Sequence, residues 1–167
     1  MSPKPTLLDE IPGYDAWIAT ARTTQLFQRH LAAALDPLGL EVAHYDVLAN
    51  IARDEGLSQQ VLARRLLVAK SNVSALLTVL ERKGLIERTK HVSDARVRLI
   101  SLTPEGHRIT ARAAKAHARI IRAMLAVVSA EQAQAVGHVM AKIMAALDPA
   151  PVVADAAVGA NADAAEA

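Results

Sequence analysis

Residues 58–103 constrain the fold more than any other stretch of the chain. They hold two short amphipathic segments, a glycine, and two strand-like runs joined by a polar tip. In the second segment, Ser71 to Lys83, the apolar residues Val73, Leu76, Leu77 and Leu80 recur at i, i+3, i+4 and i+7. That spacing predicts a helix with one buried stripe. Its opposite face carries Ser71, Asn72, Ser74, Ala75 and Thr78, all small or polar. Ser58 to Leu66 predicts the preceding helix, with Ser58 as N-cap and Leu62, Ala63 and Leu66 facing the core. Leu67-Val68-Ala69 is the tight link between them, without the glycine often found there.

Gly84 sits where a helix ends in a left-handed residue. Leu85 to Lys90 and Val97 to Thr103 predict two strands, and residues 91–95 their connecting tip. Helix, helix, hairpin in that order is a winged helix-turn-helix. The whole chain is expected to be mainly α, with a small β-hairpin wing.

Charge gives this unit a direction. Residues 58–98 hold nine cations (Arg64, Arg65, Lys70, Arg82, Lys83, Arg88, Lys90, Arg96 and Arg98) and three anions (Glu81, Glu87 and Asp94). The local excess is six positive charges, against +2 for the whole chain. A local basic patch of this kind suits a phosphate backbone. Short donors and acceptors on an uncharged helix face suit close approach to base edges in a major groove. We therefore expect double-stranded DNA as partner. Ser58, Ser71, Asn72, Ser74, Ala75 and Thr78 would lie at the groove, Arg64, Arg65, Lys70 and Arg82 at phosphates, and Arg88, Arg96 and Arg98 along the wing. Asp94 is expected to support the wing by holding a neighbouring arginine.

The same stretch resembles the MarR family of bacterial regulators. The matching words are Tyr45-Asp46-Val47-Leu48-Ala49, Asn72-Val73-Ser74, and Leu80 through Arg88. Asp94-x-Arg96-x-Arg98 and Leu102-Thr103-x-x-Gly106 complete the set. The resemblance runs from about Trp17 to Leu147. It implies a homodimer on a pseudo-palindromic operator, usually a repressor released by a small molecule. It also implies that Arg96 enters the minor groove. Ala75 departs from the family pattern, in which many members carry arginine, so base readout would shift to Ser71, Asn72, Ser74 and Thr78.

Around this unit, residues 1–12 read as a loose arm and 13–42 as an N-terminal dimerisation helix, with Tyr14 to Leu35 as its helical part. A further helix spans 43–55, so the reader domain covers 43–103. Residues 104–147 read as C-terminal dimerisation helices. Thr103-Pro104 is a helix start, and Ile109, Ala113, Ala116, Ile120, Ala123 and Val127 form a heptad-like seam for a second chain. Ser129 to Gln132 is a capping box that opens the last helix. Residues 148–167 are alanine-rich, with four acids and no cation, and read as a disordered acidic tail.

Other functions find little support. There is no cysteine, which excludes disulfides and thiol-based sensing. No glycine-rich phosphate loop, nucleophile elbow or metalloprotease spacing is present, so no enzyme, catalytic residue or cofactor is expected. The six histidines (His30, His44, His91, His107, His117 and His138) include no pair at i, i+4, so no metal site is expected, although His44 and His107 could meet in space. The sequence shows neither a signal peptide nor a membrane span, and a cytoplasmic location is expected. The family's effector pockets lie between the dimerisation helices and the reader domain, which makes Trp17, Arg22, His44 and Tyr45 candidate wall residues. An arginine beside aromatics would suit an aromatic carboxylate or phenolate. Two rival readings are a winged-helix adaptor that binds protein without an operator, and a metal-responsive regulator.

Overall fold

The structure is a computed structural model describing residues 7–90 and 98–147. Asp94, Arg96 and the tail from 148 onward lie outside the described residues.

A long helix, α1, spans Tyr14–Leu35, and a single 3-10 turn over Asp36–Leu38 leads into α2, Val42–Arg53. Proline at 37 is what ends α1, since it has no N–H to extend a helical ladder. The helix-turn-helix follows as α3, Gln59–Leu66, and α4, Lys70–Arg82. The sheet has three strands in the order β1 (Leu57–Ser58), β3 (Arg98–Leu102), β2 (Ile86–Lys90), all antiparallel. A hairpin alone was expected, and β1 is the addition: Leu57 pairs with Ile100, and Ser58 with Leu99. The α5 helix spans Pro104–Leu125 and α6 spans Ala130–Leu147.

The described residues fall into two compact units that divide between Met124 and Leu125. The first unit has one core. Leu35, Val47, Leu48, Ile51, Leu62, Val73, Leu77, Leu80 and Ile100 are fully buried there. Leu76, expected in the same stripe, is half-buried against that core. Truncating one of the fully buried leucines to alanine removes contacts worth about 2–5 kcal/mol.

The first half of α5 belongs to this core as well. Gly106, Ile109, Thr110, Ala113 and Ala116 are buried within the chain itself, so this part of the expected seam packs intramolecularly. Further along, Ile120 is half-buried, and Ala123 and Val127 are exposed.

In the second unit, α6 opens as its sequence predicts. The Ser129 N–H donates to Gln132 Oε1 at 2.8 Å, and the Gln132 N–H donates back to Ser129 Oγ at 3.2 Å. This reciprocal pair satisfies two helix-start groups at once. No residue of α6 is buried, and Val136, Val139, Ile143, Met144 and Leu147 are exposed along it.

Candidate nucleic-acid interface

The candidate interface is built on α4. Its apolar stripe is anchored: Val73, Leu77 and Leu80 have no exposed surface. A helix so fixed turns its opposite face outward, and Ser71, Asn72, Ala75 and Thr78 are exposed while Ser74 is half-buried. Thr78 Oγ1 donates to the Ser74 carbonyl at 2.9 Å, and Arg82 Nε donates to the Thr78 carbonyl at 3.4 Å. Ala69, ahead of the helix, offers no side-chain cap.

The helix-turn-helix geometry is set by the link. Leu67 adopts φ 54°, in the left-handed region, and is 82% exposed. It does without glycine what the link requires. Its N–H bonds back to Arg64, and the Val68 N–H donates to the Ala63 carbonyl at 3.2 Å. The side chain of Gln59 spans the two helices, donating to the Lys70 carbonyl at 3.1 Å. Ser58 caps α3 as predicted, accepting from the Val61 N–H at 3.3 Å.

The basic residues divide into two kinds. Lys70, Arg82 and Arg98 are exposed. Arg65 is paired with Asp54 at 2.7 Å, which ties α3 to the end of α2. Arg88 is paired with Glu81, joining β2 to α4. The hydrogen bond from Arg88 holds the Glu81 carboxyl below its ordinary range, and Arg98 adds to the effect. Neither long-range pair could be read from local sequence. Lys83, one of the nine cations of the basic patch, donates to the Gly39 carbonyl at 2.7 Å and pins the end of α4.

The wing is joined to α5 at Thr103. Its Oγ1 donates to the Gly84 carbonyl at 2.6 Å and accepts from the Gly106 N–H at 3.0 Å. The Thr103 N–H donates to the Leu85 carbonyl at 3.1 Å. One residue thus caps α5 and fixes the chain that leaves the recognition helix.

This geometry has counterparts among known proteins. Residues 38–97 match the MarR family model. Transcriptional regulator HosA of Escherichia coli O157:H7 is 31% identical over 121 residues, covering 72% of this chain and 90% of that one. The chain belongs to the MarR family. Among solved MarR-type structures, the transcriptional repressor CouR bound to a 23-mer DNA duplex is 28% identical with a TM-score of 0.73. That match covers 86% of this chain and 99% of that one. Sco3205, a MarR family regulator from Streptomyces coelicolor in complex with DNA, is 25% identical with a TM-score of 0.77, covering 89% and 94%. The chain is accordingly a DNA-binding transcriptional regulator.

The four candidate effector residues of this MarR protein are placed differently from one another. His44 and Tyr45 are buried at the start of α2, while Trp17 and Arg22 are exposed on α1. The Tyr45 hydroxyl lies 3.1 Å from His117 Nδ1, and the Phe27 ring is 5.5 Å from the same imidazole. Burial raises the Tyr45 pKa, and the neighbouring Asp46 charge adds to it. His44 Nδ1 is buried with no hydrogen-bond partner among the described residues; Glu41 is 4.0 Å away. His107 pairs with Glu55 at 2.8 Å, and the described residues contain no group of three or more potential metal ligands. No helix among them is long and apolar enough to cross a membrane.

Proposed function

We propose that this MarR regulator is a homodimeric repressor that holds a pseudo-palindromic operator and is released by a small molecule. The observation that carries it is the outer face of α4: small, polar, exposed, and backed by a fully buried stripe. Two such helices enter successive major grooves about one helical turn apart. Ser71, Asn72, Ser74 and Thr78 meet base edges there, with Ser58 and Ala75 at the edge of contact. Arg64, Arg65, Lys70 and Arg82 set register on phosphates. Arg96, supported by Asp94, enters the flanking minor groove with Arg88 and Arg98 beside it, because a narrow minor groove focuses negative potential.

Uncovered apolar surface supports dimerisation. Met124 and Leu125 at the end of α5, Val127 and Val128 just beyond it, and the row along α6, are 37% to 84% exposed. Surface of that kind calls for a partner, and a second copy with the same helices supplies it. The effector is an aromatic acid or phenol held near Trp17, Arg22, His44 and Tyr45. His44 Nδ1, buried with no hydrogen-bond partner among the described residues, supports a polar ligand atom there. Such a ligand favours a dimer whose recognition helices are wrongly spaced.

A gel shift with DNA from upstream of the chain's own gene, at two salt concentrations, tests the reading. Retardation that weakens steeply with salt supports it. A protein that ignores such DNA even in dilute buffer would contradict it.

A further inference from the structure

A second basic surface lies away from the reading head. An open cleft of about 800 Å³ runs between the end of α1, the Asp36–Leu38 turn and α5. Its cations are Arg112, Lys115, Arg119 and Arg122, and Pro37 and Leu38 supply apolar wall together with alanines of both helices. The four cations stand at i, i+3, i+7 and i+10, so they share one face and span about 15 Å of helix. Among the described residues, no carboxylate lines the cleft. Lys115, Arg119 and Arg122 have no ion pair or hydrogen bond among the described residues, and Arg112 acts only at range on Glu105.

This face is not the Tyr45 side of α5. Lys115 and Arg119 stand two residues either side of His117, and two helical residues turn the direction by about 200°. Four like charges in a row repel one another. Beside an apolar wall, they are best matched by a ligand that is anionic at one end and apolar at the other.

We propose that this cleft binds an amphipathic organic anion, its phosphate or carboxylate head on the row Arg112–Lys115–Arg119–Arg122 and its apolar body against Pro37, Leu38 and the alanines. The site is independent of the operator reading, because binding is measured with no DNA present.

Octyl phosphate is the probe, titrated calorimetrically into the full-length protein at low ionic strength. Inorganic phosphate and octanol supply the head and the body alone. Octyl phosphate should saturate one site per chain, and each half alone should bind at least tenfold more weakly. The doubly substituted Lys115→Ala, Arg119→Ala protein should lose at least tenfold in octyl phosphate affinity while keeping its circular dichroism spectrum; both residues are exposed. Inorganic phosphate binding as well as octyl phosphate would make the row a bare phosphate-backbone surface and overturn the proposal. So would unchanged affinity in the double variant, which would place the probe on the exposed apolar helices, and so would no binding at all.

Discussion

A Cβ on Gly106 would stand 1.9 Å from the carbonyl oxygen of Leu85. The start of α5 is therefore seated directly on the backbone that leaves the recognition helix. Only glycine allows that approach, and Thr103 stitches it from both sides. Gly106→Ala gains helix propensity, but the obstacle is backbone and cannot swing aside. We expect a net loss of about 2 kcal/mol, in the range of an overpacked core. Urea denaturation measures it, and an unchanged midpoint would show that the junction yields freely.

Thr103 carries the same junction through its hydroxyl. Thr103→Val keeps the shape and removes both bonds, so stability should fall by about 1–2 kcal/mol. Thr103→Ser keeps the hydroxyl and should recover most of that in the same denaturation series.

Leu67 shows how the turn was formed without its usual residue. A left-handed non-glycine residue costs about 1–2 kcal/mol, and an exposed leucine gains little packing in return. Leu67→Gly removes the strain and adds unfolded-chain entropy, so stability should stay level or rise by up to about 1 kcal/mol. Leu67→Val should lower it, because a β-branched residue tolerates that conformation poorly. Thermal melts of the two variants moving the same way would contradict this account.

Much of this was legible because the determining signals are local. Tyr14 to Leu35 is bounded by a proline two residues on, and the structure has those same ends. Ser58, Gly84, Thr103-Pro104 and the box at Ser129–Gln132 each punctuate the chain as their chemistry requires. What stayed hidden is non-local or too short to show a period. Two residues of β1 carry no alternation, and only Ile100 and Leu99 make them a strand. Arg65 and Arg88 read as free cations until Asp54 and Glu81 are brought beside them. Tyr45 and His117 are 72 residues apart. The first half of the α5 seam reads as intermolecular because heptad spacing does not say whose core it enters; Ile109, Ala113 and Ala116 enter their own chain's.

The Glu81–Arg88 pair gives the wing a pH dependence. Glu81 titrates below its ordinary range when folded. A lowered carboxylate value means the stabilisation is present at neutral pH and is lost as pH falls through that lowered value. Glu81 is 43% exposed, so the pair is worth only about 0.5 kcal/mol. Glu81→Gln should be less stable than the parent at neutral pH and equal to it in strong acid, read from denaturation midpoints across pH. A constant difference would remove the pair from the wing's stability.

On the reading head, Arg96→Ala should weaken operator binding severely and lower the slope of log affinity against log salt by about one. Lys70→Ala should lower that slope similarly while leaving sequence preference intact. Fluorescence anisotropy over a salt series distinguishes the two, and a normal isotherm for Arg96→Ala would take the wing out of the mechanism.

Sequencing the genomic fragments that the purified protein retains tests the central claim most directly. If α4 reads bases from two copies of the chain, the fragments share an inverted repeat with half-sites about 10 base pairs apart, and Asn72→Ala protein no longer enriches it. Retained fragments with no common sequence, or the same enrichment by Asn72→Ala, would contradict the account.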